Sequence, residues 1–187
     1  MKQESKIIYL TGKPGVGKYT IAKELERNYG FVICDNQLIN NPIFELLQYD
    51  GYANIPEFAW DSIAIIREEI FNFLTKFSKN NYVLTNCLYE DEGDRKLYES
   101  VKDMAEKRGS LFVPVQIEIS KDEHLKRLTR EERRERWKSI DPKHAEDNWQ
   151  IISITHPNLL KLDVSNLTAV NTAKEVIRHA ESLINRK

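Results

Sequence analysis

Three glycines, two lysines and a threonine crowd into the segment Gly12-Lys-Pro-Gly-Val-Gly-Lys-Tyr-Thr20. Glycine at Gly12, Gly15 and Gly17 lets the backbone turn tightly and aim several N–H groups at one point. Lys18 adds a mobile point charge beside them. That combination suits a run of phosphates, so the segment predicts binding of a nucleoside triphosphate. It follows the apolar run Ile7–Thr11 and precedes the helical pattern Ile21–Leu25. Strand, glycine-rich turn and helix is the context such a loop requires, because the first turn of the helix supplies free N–H groups and a positive dipole end.

The pattern G-x-x-x-x-G-K-[ST] is met by Gly12, Gly17 and Lys18, but Tyr19 stands where a small hydroxyl is expected on Mg²⁺. A tyrosine oxygen lies too far from the backbone to take that role, and the hydroxyl arrives one place later, at Thr20. The loop resembles the G-x-P-G-x-G-K-G-T loop of adenylate-kinase-like P-loop proteins, with Tyr19 in place of a glycine. The resemblance implies that Gly12, Pro14, Gly15, Val16, Gly17, Lys18, Tyr19 and Thr20 hold ATP. It implies Mg²⁺ as the accompanying ion, Thr20 on an inner phosphate, and water in much of the metal shell. The sequence identifies no metal ligand.

The bulk numbers exclude several other classes. A chain of 187 residues with 41% hydrophobic and 30% charged content reads as one ordinary globular domain. A net charge of −1 gives no overall field to recruit nucleic acid or an anionic membrane. No apolar run approaches the ~20 residues of a membrane span, and no secretory signal is visible. A cytoplasmic protein with reduced Cys34 and Cys87 is the expectation.

What positions the loop is an alternating pattern. Five apolar runs, Ile7–Thr11, Phe31–Cys34, Tyr82–Leu88, Phe112–Ile119 and Leu159–Val164, predict strands, several buried on both faces. Helical patterns fall at Lys18–Tyr29, Pro56–Ser78, Asp91–Arg108, Lys121–Arg136, His144–Ser153 and Thr168–Ile184. Gly30 and Gly109 sit where helices should stop. The alternation predicts an α/β fold around a parallel sheet, with ligands beyond the carboxyl ends of its strands. The resemblance implies a three-layer P-loop NTPase fold over residues 1–187, strand order 2-3-1-4-5, an acceptor-binding helical insert over 37–79 and an arginine-bearing helical lid over 121–142.

Two strand ends then matter. Asp35 follows the second strand, where it either serves the acceptor hydroxyl or caps the next helix. The chain resembles the nucleoside-monophosphate-kinase-like group, which includes shikimate, gluconate and chloramphenicol kinases. That resemblance implies the catalytic role for Asp35. Asn36, Asn40 and Asn41 either contact a polar acceptor or serve a turn before Pro42. Asn86 ends the third strand, in the place of a Walker B acid, and Glu90, Asp91 and Glu92 read as the acidic first turn of a helix.

From Lys121 to Lys138 the chain carries eight Lys/Arg and five Asp/Glu. On a helix Arg127, Arg130 and Arg134 share one face. The segment reads either as a solvated helix laced with i,i+4 pairs or as a lid closing on phosphates. The resemblance implies the lid, with Arg127 on adenine and Arg130 and Arg134 on phosphate as catalytic groups. The interleaved acids argue against nucleic acid. Beyond the last strand, Val164–Leu167 is implied as the adenine loop, while Ser165 or Thr168 suits a helix cap.

The insert 37–79 is rich in aromatic residues, read as helix packing or as a stacking surface. Arg67 is the only arginine between positions 28 and 94. It suits an acceptor's phosphate or carboxylate, or the surface, and its isolation favours a neutral acceptor over a nucleoside monophosphate. The expectation is an ATP-dependent phosphotransferase acting on a hydroxyl of a small molecule, as monomer or homodimer, with no nucleic-acid or membrane partner. The alternatives are a nucleotide-binding regulatory protein with little turnover and a nucleoside-monophosphate kinase.

Overall fold

Strand β1, Lys6–Thr11, is buried along its whole length. Its side chains alternate as a pleated strand demands: Ile7 and Tyr9 enter one apolar cluster, Ile8 and Leu10 the other. This central position explains why the segment reads as uninterrupted apolar sequence. The structure, a computed structural model, describes residues 5–50, 53–128 and 150–185.

Helix α1, Lys18–Tyr29, follows β1, and Gly30 closes it in the left-handed conformation with its N–H on the Leu25 carbonyl. Then come β2 (Phe31–Asp35), α2 (Asn36–Leu46), α3 (Glu57–Lys76), β3 (Asn81–Asn86), α4 (Glu92–Lys107) and β4 (Leu111–Glu118). The described chain ends with α5 (Lys121–Leu128), β5 (Leu160–Asp163) and α6 (Ala169–Ile184). The sheet is parallel, in the order β2-β3-β1-β4-β5. Helices α1 and α6 cover the face bearing Ile8, Leu10, Val113 and Val115. Helices α2, α3 and α4 cover the face bearing Ile7, Tyr9, Tyr82 and Leu84. The fold class, strand order and three layers match the expectation.

The strands differ from their expected limits by no more than two residues. One expected helix needs correction. Of His144–Ser153, residues 144–149 lie outside the described residues. Residues 150–153 are extended: Ile151 bridges Tyr89 antiparallel, and Ile152 N–H donates to the Leu88 carbonyl. Ile151–Ile154 alternates because it lies against the β3–α4 connection, with Ile152 and Ile154 buried. The turn reading before Pro42 is also replaced, since Pro42 lies inside α2. Of the expected lid, residues 129–142 lie outside the described residues.

Arg108 anchors the amino ends of the strands. Its guanidinium donates to the carbonyls of Leu74, Phe77 and Asn80 and to Ser110 Oγ. It also lies 4.9 Å from the centre of the Tyr82 ring. Among the described residues no helix is long and apolar enough to cross a membrane.

Candidate nucleotide and acceptor site

The turn between β1 and α1 is built on three positive φ angles: 143° at Gly12, 91° at Gly15 and 102° at Gly17. Side chains are excluded there for a second reason. A Cβ on Gly12 would lie 2.5 Å from the Ile117 carbonyl oxygen, and one on Gly15 would lie 2.7 Å from Leu128 Cδ2. Gly17 caps α1 without a side-chain bond, which leaves the first-turn N–H groups directed at whatever the loop holds. Lys18 Nζ donates to the carbonyls of Gly12 at 2.5 Å and Lys13 at 2.9 Å, curling the loop around its own lysine. Val16 is buried beneath the turn.

Helix α5 is tied to this loop at two places. His124, buried, brings Nε2 to 2.5 Å from the Pro14 carbonyl oxygen. Arg127 donates from Nη1 to the Val16 carbonyl at 3.2 Å and from Nη2 to the Val164 carbonyl at 3.0 Å. Its Nε is fixed by Glu123, at 2.8 Å. Arg127 therefore joins the glycine-rich loop to the segment following β5. Between them opens a cavity of about 320 Å³, lined by Gly15, Gly17, Thr20, Arg127, Val164 and Leu167 among others. Its apolar and carbonyl lining suits a heterocyclic base, and its Gly15–Thr20 edge suits phosphates. Thr168 caps α6, with Oγ1 accepting from Asn171 N–H at 3.2 Å, so its side chain is a cap.

Tyr19 and Thr20 face different cavities. Thr20 lines the one just described. Tyr19 shares a second, of about 430 Å³, with Asp35, Gln37 and Asn41. Asp35 is buried, and its Oδ1 accepts the Leu38 N–H at 3.0 Å as the N-cap of α2. The capping role expected as one alternative is therefore present. It fixes the carboxylate at the mouth of a cavity that Tyr19, the neighbour of Lys18, also lines. Gln37 Oε1 and Asn41 Oδ1 are buried there without a hydrogen-bond partner among the described residues.

The carboxyl end of β3 carries a linked group of side chains, of which sequence reasoning named Asn86 and Asn36 but missed Tyr9 and Asp94. Tyr9 donates its phenol hydrogen to Asn86 Oδ1 at 3.1 Å, and Asn86 Nδ2 donates to Asn36 Oδ1 at 3.0 Å. Asn86 thus joins β1 to α2 and does not stand ready as a metal ligand. Asp94, in the first turn of α4, accepts the Tyr89 N–H on Oδ2 at 2.6 Å. Burial, with Asp91 nearby, holds its carboxyl above the usual range, partly opposed by that hydrogen bond and by Arg67. Burial also raises the Cys87 thiol, against the pull of the Lys18 charge. Asp91 caps α4 and Glu92 lies in its first turn, as expected of an acidic helix start. Glu90 instead pairs with Arg95 and accepts the Ser153 N–H. A signal for the Tyr9 network existed only as a tyrosine inside an otherwise aliphatic strand.

The residues fit a nucleotide better than a protein-held metal. Three glycines form a cradle that a Cβ would fill at two of them, with a lysine inside it. Among the described residues there is no cluster of three or more His, Cys, Asp or Glu that could hold a metal ion. Arg130 and Arg134, expected on phosphate, lie outside the described residues.

No protein-family model and no curated protein matches the chain. Solved structures do. A "putative kinase" from Chloroflexus aurantiacus j-10-fl superposes with a TM-score of 0.69 at 14% identity, over 97% of this chain and 99% of that one. A gluconokinase from Sinorhizobium meliloti 1021 gives 0.57 at 11% identity, over 100% and 97%. The Mycobacterium tuberculosis APS kinase in complex with AMPPNP and APS gives 0.54 at 16% identity, over 95% and 98%. What the chain shares with them is its architecture: a parallel β2-β3-β1-β4-β5 sheet with a phosphate loop at its centre, the P-loop NTPase fold in the form found in these small kinases.

Proposed function

We propose that the protein is an ATP-dependent phosphotransferase that moves the γ-phosphoryl group to a hydroxyl of a small molecule. The observation carrying this reading is the arrangement around Lys18. Its chain neighbours open onto two cavities: Gly17 and Thr20 line the Arg127 cavity, and Tyr19 lines the cavity that holds Asp35. Separate room for a nucleotide and an acceptor thus lies next to one lysine.

In the reaction the acceptor oxygen forms a bond to the γ-phosphorus as the bond from that phosphorus to the β-phosphate oxygen breaks, releasing ADP. The hydroxyl proton passes to the Asp35 carboxylate. Lys18 exchanges its two carbonyl partners for phosphate oxygens and offsets the charge spread over the transferring group. The loop N–H groups hold the β-phosphate, and Arg127 and Val164–Leu167 border the base. Mg²⁺ carried by ATP would supply charge neutralisation. Arg130 and Arg134 join this reading as lid groups on phosphate. A cytoplasmic location, and action as monomer or homodimer without nucleic acid or membrane, belong to the same proposal.

One observation favours a second reading, a nucleotide-binding regulatory protein with little turnover. Tyr19 replaces the metal-binding hydroxyl and Asn86 is committed to Tyr9 and Asn36. ATP consumption with Mg²⁺, screened over hydroxylated metabolites, nucleosides and antibiotics, separates the two. Acceptor-stimulated consumption that disappears in Lys18→Ala supports the kinase. Tight ATP binding with no stimulation by any compound supports the regulatory reading.

A further inference from the structure

The cavity beside Tyr19 has a one-sided chemistry. Helix α1 lends it Tyr19, Lys23 and Glu26, and α2 lends it Gln37, Asn41 and Glu45, with Asp35 at the head of α2. Spacings of three and four residues put each trio on one face of its helix, so the two faces wall a cleft of about 430 Å³. Among the described residues lining it, Glu26, Asp35 and Glu45 bring three carboxylates. Lys23 brings the one ammonium group, which stands 2.6 Å from Glu26. Arg67, the lone arginine of the insert, lines the separate α3–α4 groove.

Two buried atoms show what this cleft lacks. Gln37 Oε1 and Asn41 Oδ1 have no hydrogen-bond partner among the described residues. A dry, unpaired amide oxygen is costly, so each implies a missing donor. The last torsion of an Asn or Gln side chain is soft, which lets both oxygens turn toward a donor that enters the cleft. The two residues lie one turn apart, about 5.4 Å along α2. A cationic donor set between them reaches both oxygens at ordinary lengths of about 2.8 Å.

Resting on the kinase reading above, we propose that the acceptor is an amino alcohol, a small molecule with a protonated amine beside the hydroxyl that takes the phosphate. An ammonium group has three donors and no lone pair. Two of its donors satisfy Gln37 and Asn41, and the third points along α2 to Glu45, one turn further on. Its positive charge matches the carboxylate excess of the walls. Without a lone pair the nitrogen does not attack phosphorus, so transfer stays on the hydroxyl at Asp35. A neutral polyol leaves the charge of the cleft unmet. A carboxylate or phosphate ester adds negative charge to walls that are already negative. This reading departs from the neutral acceptor expected from the isolation of Arg67, and it disfavours a nucleoside monophosphate.

The test titrates the full chain, saturated with a non-hydrolysable ATP analogue, by calorimetry. The probes are two matched sets: 3-amino-1,2-propanediol, glycerol and glycerate, and glucosamine, glucose and glucuronate. The amine of at least one set should bind saturably, about tenfold or more tighter than its neutral and carboxylate counterparts. Gln37→Met and Asn41→Leu remove the oxygens at similar volume and should erase that preference. Asn41→Asp, which keeps an oxygen and adds charge, should widen it. No saturable binding of either amine, equal binding of the polyol or carboxylate, or a preference that survives Gln37→Met and Asn41→Leu overturns the proposal. ATP consumption with the same probes keeps the two readings apart. Consumption stimulated equally by amine and polyol would keep the kinase and overturn the amine site. Preferential amine binding that Asn41→Leu abolishes, without stimulated consumption, would support the amine site and count against the kinase.

Discussion

His124 Nε2 lies 2.5 Å from the Pro14 carbonyl oxygen, which fastens the first turn of α5 to the glycine-rich loop. Leu128, one turn on, fills the space that a side chain at Gly15 would need. The loop is thus shaped from outside, by a helix more than a hundred residues later, as well as by its own glycines.

Gly15→Ala should therefore damage the loop twice. The methyl meets Leu128 and the backbone is held at φ 91°. The cost should be about 1–3 kcal/mol, seen as a lower melting temperature together with weaker ATP binding by calorimetry. Gly30→Ala, at a helix end with open space around it, should lower the melting temperature and leave ATP binding unchanged.

Arg127 spans the loop and the segment after β5 through two carbonyls. Arg127→Lys keeps the charge and loses the fork. ATP affinity should fall about tenfold, the equivalent of about 1.4 kcal/mol, and thermal stability should drop as well, because the hydrogen bonds to Val16 and Val164 are lost. Fluorescence titration with a labelled ATP analogue reads this directly.

Asp35 serves as a cap and, in the proposed reaction, as the base, and two substitutions separate these roles. Asp35→Asn retains a side-chain oxygen for the Leu38 N–H, so stability should stay within about 0.5 kcal/mol. Acceptor-dependent transfer should still fall by about 10²–10⁴-fold. Asp35→Ala should lose transfer and also about 1 kcal/mol of stability. Full transfer by Asp35→Asn would leave Asp35 as a cap alone.

Asp94 gives the protein a pH dependence of known sign. Burial raises its folded pKa above the ordinary 3.8. Its contribution to stability is fully present below pH 3.8 and is lost as pH rises through the raised folded value. Asp94→Asn, which can still accept the Tyr89 N–H, should match the wild type in acid, gain on it as pH rises through that window, and keep a constant advantage above it. Urea midpoints measured from pH 3 to pH 7 check this.

How far the site could be read from sequence follows from the range of each interaction. The phosphate loop was legible because its requirements are local: positive φ at Gly12, Gly15 and Gly17, a strand before it and a helix after it. The sheet was legible because β1, β3 and β4 are buried on both faces and so read as apolar runs. Helix α2 was obscured by Pro42 and its asparagines, whose turn preference is overruled by the Asp35 cap and by burial of Ile39 and Phe44. The Tyr9–Asn86–Asn36 chain and the His124–Pro14 contact join residues 50 to 110 positions apart. No pattern of spacing along the chain announces such contacts, and the orphaned oxygens of Gln37 and Asn41 are visible only once burial is known.

The central claim is transfer of phosphate from ATP to an acceptor hydroxyl at Lys18. It is tested most directly by following ³¹P spectra of the full chain with ATP, Mg²⁺ and whichever compound stimulates ATP consumption most, for the wild type and for Lys18→Ala. The account predicts a new phosphate-ester signal growing in step with ADP in the wild type and absent from Lys18→Ala. ADP appearing together with inorganic phosphate alone, or an ester signal undiminished in Lys18→Ala, would contradict it.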